Sequence, residues 1–96
     1  MPFVRLTVAH ARPERREEVK KHYRELVDYV RKLPGCVGAY VLTAEDGTGD
    51  VGRMTLWENE AAANHAANDP HAMSLHAELM FDVSGEMWDR TFDANE

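Results

Sequence analysis

Segments with strand and helix patterns follow one another in an order that few small folds share. The first helical region lies between the first and second of four strand-like segments, and the second helical region lies between the third and fourth. The strand-like segments are rich in β-branched residues or alternate in polarity, and they lie at Phe3–His10, Cys36–Thr43, Asp50–Trp57 and Glu86–Phe92. The order β-α-β-β-α-β predicts a four-stranded antiparallel sheet with helices on one face.

The segment Pro13–Leu33 has the strongest helical pattern. Apolar residues recur along it at three- and four-residue spacings, and nearly all other positions are charged. Pro13 suits a first helical position, and Pro34 followed by Gly35 ends the helix. The segment therefore predicts one amphipathic helix that packs on the sheet.

The second helical region contains two start signals. Asn59 is a good N-cap for the alanine-rich segment Glu60–Ala67, and Asp69 precedes a proline that suits a first turn. The region is therefore predicted to form two helices that meet near Asn68, followed by a loop over residues 82–85. The whole pattern predicts an α+β, ferredoxin-like fold in one domain spanning residues 1–96.

Charge and composition exclude several classes of partner. The chain has 96 residues, a net charge of −6 and a pI near 5.3, which disfavours nucleic acid and anionic membrane surfaces. Its longest stretch without charged residues, Leu33–Ala44, is interrupted by proline and glycine and is too short to span a bilayer. One cysteine, Cys36, cannot form an internal disulfide. With no signal-peptide pattern at the start, the expected location is the cytoplasm.

If the helices cover one face of the sheet, the residues of its second face need a separate explanation. Alternate positions of three strands combine aromatic, threonine and arginine side chains: Phe3, Arg5, Thr7, Arg53, Thr55, Trp57, Trp88, Arg90 and Phe92. This mixture is typical of a buried interface or a ligand-lined surface, so we expect a homodimer. The alternative is a half-exposed sheet with scattered apolar residues. The sequence does not determine which set faces the helices.

Two strand residues are candidates for ligand binding. Arg53 lies beside predicted core positions, where its guanidinium could hold a phenolate, enolate or carboxylate. The alternative is an arginine paired with a carboxylate across an interface. Trp57 could stack on a planar ligand or simply pack in the core, and the same two readings apply to Trp88.

The histidines do not have the spacing of a metal site. His71 and His76 are five residues apart, which places them on different sides of a helix, and no HExxH motif occurs. We therefore expect no metal and no cofactor. His65 is either a dipole-stabilised residue near a helix end or a general base that reaches a pocket. His71 lies in a first helical turn, where the dipole favours its neutral form.

The segment Trp57–His65, WENEAAANH, together with Asn68–His71, NDPH, resembles the antibiotic biosynthesis monooxygenase family. The turn at Pro34-Gly35-Cys36 is also similar. This resemblance implies a ferredoxin-like fold that dimerises through its sheets into an α/β barrel, with a pocket between sheet and helices. Some members oxygenate aromatic polyketides or quinols without metal or organic cofactor, and others degrade haem.

The family's known catalytic residues carry over only at Trp57. Polyketide-oxidising members have asparagine at the position of Arg53 and tyrosine at the position of Ala63. Haem-degrading members use an asparagine on the first strand, and Phe3–His10 contains none.

The resemblance and the residues together predict a cofactor-independent monooxygenase for a small aromatic or quinol substrate. In this hypothesis Arg53 holds the substrate anion, His65 or His71 takes the proton, and Trp57 stacks on the ring, with Trp88 as a further binding residue. The alternatives are a non-catalytic dimeric domain that binds a small apolar ligand and a stress-responsive α/β-barrel protein.

Overall fold

The computed structural model describes residues 2–80 and 83–95, which form one sheet and three α-helices. The strands are β1 (Phe3–Ala11), β2 (Cys36–Thr43), β3 (Asp50–Trp57) and β4 (Val83–Asp93). The helices are α1 (Arg16–Val30), α2 (Glu60–Ala67) and α3 (Pro70–Met80). The strands pair antiparallel in the order β2-β3-β1-β4, which confirms the predicted α+β, ferredoxin-like fold. The sheet is open, with β2 and β4 at its edges.

The first helix is shorter than the predicted Pro13–Leu33. Residues Pro13–Arg15 form a single 3₁₀ turn, and α1 ends at Val30, where Leu33 N–H bonds the Val30 carbonyl at 3.0 Å. Gly35 then adopts a φ of +82°, which an L side chain rarely allows. A Cβ at Gly35 would lie 2.5 Å from that of Ala62, so glycine also lets this turn pack on α2.

The last strand is longer than the predicted Glu86–Phe92. Of the loop predicted over residues 82–85, residue 82 lies outside the described residues, and 83–85 belong to β4. The reason is that β1 continues to Ala11, which pairs with Val83 after a register shift beyond Ala9. Long-range pairing therefore extends the strand beyond its local pattern.

The nine aromatic, threonine and arginine residues that the sequence grouped on one face lie on both faces of the sheet. Because directly paired residues share a face, the pairings Phe3↔Trp57, Arg5↔Thr55 and Thr7↔Arg53 put those six residues on the side that α1 covers. The other three, Trp88, Arg90 and Phe92, pair with Val8, Leu6 and Val4 and so lie on the opposite face. The predicted grouping was wrong for β4, because its register with β1 reverses the assumed parity.

The opposite face, which we call the open face, is largely apolar. Its apolar residues are Val4, Leu6, Val8, Tyr40, Leu42, Met54, Leu56, Trp88 and Phe92, and the same pairings also place His10, Asp50 and Arg90 on it. In the single chain, Tyr40 and Trp88 are 53% and 46% exposed. A contiguous apolar surface of this kind marks an interaction site more often than a free surface.

The covered side contains the core. Buried residues of α1 spaced three and four apart, including Val19, Tyr23 and Leu26, pack over the sheet as the periodicity predicts. Among the described residues, no helix is both long and apolar enough to cross a bilayer.

Candidate functional site

A cavity of about 480 Å³ lies between the covered side of the sheet and helices α2 and α3. Its helical wall is built mainly from small side chains: Ala63, Ala66, Ala67, Ala72 and Ala77, with Met73, His76 and Met80. Its sheet side is formed by Arg5, Arg53, Thr55 and Trp57. Alanines leave empty the space that larger core residues would fill. The volume is typical of small-molecule sites, which span about 300–1,000 Å³.

Two helix caps predicted from the sequence hold this wall in place. Asn59 Oδ1 accepts a hydrogen bond from Ala62 N–H at 2.9 Å and so begins α2. Asp69 Oδ2 accepts from Ala72 N–H at 3.0 Å and so begins α3, and it also accepts from the Tyr29 hydroxyl at 2.7 Å. The second bond ties the start of α3 to α1.

Arg53 reaches the cavity from a central strand and is only 7% exposed. Its Nε is buried and has no hydrogen-bond partner among the described residues. Burial and, secondarily, the charge of Arg5 lower the pKa of Arg53 to about 10, against the opposing effects of Tyr23 and Asp89. The guanidinium nevertheless stays charged near neutral pH, so the cavity contains a cation whose hydrogen-bonding capacity is partly unused.

Arg5, by contrast, is committed to a carboxylate. Its Nε donates to Asp89 Oδ1 at 3.1 Å, its Nη2 donates to Oδ2, and Thr7 Oγ1 also donates to Oδ1. Burial alone would raise the pKa of Asp89, but the hydrogen bonds and charge of Arg5, with the Thr7 bond, outweigh it and lower the pKa. Asp89 is therefore an ionised partner of Arg5.

Tyr23 supports this polar region from the α1 side. The residue is fully buried, and its hydroxyl has no hydrogen-bond partner among the described residues. Burial raises the pKa of Tyr23 to about 12, even though the charge of Arg53 lowers it. Tyr23 therefore remains a neutral phenol and supplies no counter-charge to Arg53.

His76 lines the cavity from α3, whereas the sequence analysis considered it only as a metal ligand and found its spacing unsuitable. Its Nδ1 is buried and lacks a hydrogen-bond partner among the residues the structure describes. Burial and then the charges of Arg53 and Arg5 lower the pKa of His76 from 6.5, with Asp89 opposing. The imidazole is therefore neutral near neutral pH and can accept a proton. A histidine on the inward face of a helix was the signal that could have identified it.

Trp57 is both a core residue and part of the cavity lining. The residue is 3% exposed and packs in the core with Phe3 and Leu26, yet its ring also lines the cavity. Its Nε1 donates to Thr55 Oγ1 at 2.9 Å. Because the indole N–H is already bonded, Trp57 offers a ligand apolar ring surface.

The structure does not bring the other predicted site residues to the cavity. His65 is exposed on α2 and is absent from the described lining. His71 is exposed, and its ring stands edge-on to Tyr29 with 4.5 Å between centroids. Trp88 lies on the open face. Of the candidates, Arg53 and Trp57 therefore share one site, and His76 takes the place expected for His65.

One group of metal-capable side chains comes together elsewhere within the described part of the chain. One ligand atom each of His22, Glu25 and Glu78 lies within 4.8 Å of the others, on α1 and α3. Both carboxylates are exposed, and exposed acidic groups commonly cluster without an ion. The group is separate from the cavity lining.

Comparisons with solved structures show the same fold at low sequence identity. Rv0793 from Mycobacterium tuberculosis has a TM-score of 0.88 and 14% identity, covering 100% of this chain and 97% of that one. A conserved protein from Methanosarcina mazei Go1 has a TM-score of 0.90 and 14% identity, covering 99% and 94%. A variant of SnoaB, a cofactor-independent oxygenase from Streptomyces nogalater, has a TM-score of 0.87 and 14% identity, covering 99% and 94%.

Sequence comparison identifies the family. No curated protein matches the chain, but residues 2–78 match the family model described as antibiotic biosynthesis monooxygenase. The match includes the cavity's strand residues and most of α3, and it confirms the resemblance seen between Trp57 and His71. The chain therefore belongs to the antibiotic biosynthesis monooxygenase family.

Proposed function

We propose that the protein is a cofactor-independent monooxygenase that acts on a small phenol or quinol bound in the cavity. The observation that carries this proposal is that a neutral imidazole, His76, and the guanidinium of Arg53, whose Nε has no hydrogen-bond partner among the described residues, line one cavity. Family membership supports the reaction class. So does the structural similarity to SnoaB, whose description is that of a cofactor-independent oxygenase.

Each polar group has a distinct task in this proposal. His76 accepts the phenolic proton, because its lowered pKa keeps it unprotonated in the resting site. The positive charge of Arg53, which lines the same cavity and is itself buried, stabilises the resulting phenolate. Trp57 and the alanine wall hold the aromatic ring by apolar contact. The phenolate is the electron-rich form that can reduce dioxygen.

The electron balance needs no external reductant. A quinol with one free ring C–H reacts with dioxygen to give a hydroxyquinone and one water, and a phenol with a free ortho or para C–H gives a quinone and one water. One oxygen atom enters the C–H bond and the other leaves as water with two hydrogens from the substrate. The substrate supplies all four electrons, two from hydroxylation of the C–H bond and two from oxidation of quinol to quinone.

We further propose that two copies associate through their open faces. The apolar residues of that face include Leu6, Met54 and Trp88 and cover all four strands. Face-to-face packing of two copies would remove this surface from water at about 25 cal/mol per Å² of apolar area. A cyclic dimer is the commonest assembly that uses one patch twice.

We also propose that the protein is located in the cytoplasm. Cys36 is half-buried, its Sγ contacts the Gly38 carbonyl at 3.5 Å, and burial raises the pKa of its thiol. A single cysteine cannot form an internal disulfide, the cross-link that oxidising compartments favour, so a reducing compartment suits this chain.

The proposal is tested by oxygen uptake over a panel of naphthohydroquinones, anthrones and simple phenols. We expect enzyme-dependent consumption of one dioxygen per product for at least one compound. Ala77→Phe, which puts a ring at the cavity edge, should raise KM more than about tenfold, because lost apolar contacts and blocked volume weaken binding. Ala61→Phe, at an exposed position of α2, is the matched control.

Two results would contradict the oxygenase. One is tight binding of the panel without oxygen uptake, which would instead indicate a non-catalytic small-ligand-binding domain. The other is uptake that Ala77→Phe and Ala61→Phe alter equally, which would place the reaction outside this cavity.

A further inference from the structure

We infer that the substrate is a monoanion, a phenol that also carries one carboxylate, and that Arg53 binds the carboxylate. This inference rests on the proposed function and names the substrate class of the same site. It follows from the balance of charge around the cavity and from the guanidinium of Arg53, which lines it.

The described charged side chains around the cavity leave one positive charge without a counter-ion. Arg5 and Arg53 are cationic, and Asp89 is the anion among the described residues that interacts with both. Asp89 is already bonded by Arg5 through two nitrogens and by Thr7, whereas Arg53 makes no hydrogen bond to it. His76 is neutral and Tyr23 stays protonated, so neither supplies negative charge.

A neutral quinol would not correct this imbalance. When His76 takes its proton, one phenolate and one imidazolium form together, so the total charge of the occupied site stays at one positive unit. An uncompensated charge in a buried site is costly. A monoanionic phenol brings the total to zero on binding and keeps it there through proton transfer.

The geometry of the lining places the carboxylate at Arg53. The helical wall offers methyl and thioether groups apart from His76, and the Trp57 N–H is bonded to Thr55. On the sheet side, the guanidinium of Arg53 lines the cavity, and its Nε has no hydrogen-bond partner among the described residues, so Arg53 is the charged donor available to a carboxylate. Guanidinium and carboxylate groups match in bidentate geometry. The hydroxyl end of the ring is then left for His76.

The experiment compares two ligands of the same shape by calorimetric titration: 6-hydroxy-2-naphthoate and its uncharged primary amide. We expect the acid to bind about 10- to 100-fold more tightly, the usual size of a hydrogen bond to a charged group. Arg53→Met should abolish the preference, and Arg53→Lys should keep part of it, because lysine offers a point charge in place of a planar fork. Arg24→Met, which removes an exposed arginine of α1, should leave the preference intact.

Equal binding of acid and amide by the unmodified protein would overturn the inference without any variant. A preference for the acid over the amide that persists in Arg53→Met would also overturn the inference, even if that variant has a lower Tm.

Oxygen uptake on the same two ligands separates this inference from the proposed function. Acid preference without uptake would support the ligand class and contradict the oxygenase. Equal oxygen uptake and equal affinity for both ligands would support the oxygenase and overturn the inference that the substrate carries a carboxylate.

Discussion

Replacing His76 by alanine is expected to lower kcat for a phenolic substrate by about 10²–10⁴-fold, the usual contribution of a positioned general base. The imidazole is the group in the described cavity lining that can accept a proton near neutral pH, because burial and two arginines keep its pKa below 6.5. Its loss leaves Arg53 and Trp57 in place, so substrate should still bind. Stopped-flow or steady-state oxygen consumption measures the effect.

The pH profile provides a second readout for His76. Because the pKa of His76 is lowered, its imidazole stays neutral as the pH falls, until the pH reaches the pKa that His76 has in the folded protein. The acid limb of kcat/KM should therefore lie below pH 6.5, and it should disappear in His76→Ala. Added imidazole should restore part of the lost rate by occupying the vacated space.

The matched control for His76 is His65→Ala, which removes an exposed histidine of α2. We expect this variant to retain the rate and the pH profile of the unmodified protein. A large loss in His65→Ala with little change in His76→Ala would show that the proton acceptor is the residue suggested by the sequence and that the cavity assignment is wrong.

Replacing Met54 by aspartate is expected to convert the dimer to a monomer. Met54 lies at the middle of the open face, between Tyr40 on β2 and Leu6 on β1. Because a two-fold axis repeats every substitution, the interface would bury two carboxylates, and an unpaired buried charge costs several kcal/mol, on the order of the net stability of a small interface.

Light scattering at micromolar concentration measures this effect. The unmodified protein should have about twice the 10.9 kDa mass of the chain, and Met54→Asp should have the mass of one chain. Asn64→Asp, which adds the same charge on the exposed side of α2, should remain dimeric. A monomeric unmodified protein would contradict association through the open face.

Local patterns predict much of this fold. The bounds of β2, β3 and α2 agree with the sequence because turns and caps at both ends, such as Asn59, are local features. The start of β4 could not be predicted, since it depends on pairing between Ala11 and Val83, which are far apart in the chain. The face of Trp88 was missed for the same reason: a strand's parity has no meaning until its register with a neighbour is known.

The strand residues of the candidate site could be predicted from the sequence. Arg53 and Trp57 alternate on one strand, so the pattern put them on a common face whatever the register. The helical residues were harder, because α2 has alanine on several sides and its hydrophobic pattern does not define an inward face. The sequence therefore pointed to His65 or His71 as the proton acceptor and gave His76 no chemical role. Tertiary contacts, such as the bond from Tyr29 to Asp69, set the orientation that turns His76 toward the sheet.

The most direct test of the proposed chemistry is a product analysis with isotope-labelled dioxygen, using untagged protein whose metal content is known from elemental analysis. We expect less than stoichiometric zinc, iron or copper, one labelled oxygen atom in the quinone product and the other in water. This result should be unchanged by a chelator. A product without label, or labelling that a chelator abolishes and one added metal restores, would contradict a cofactor-independent monooxygenase.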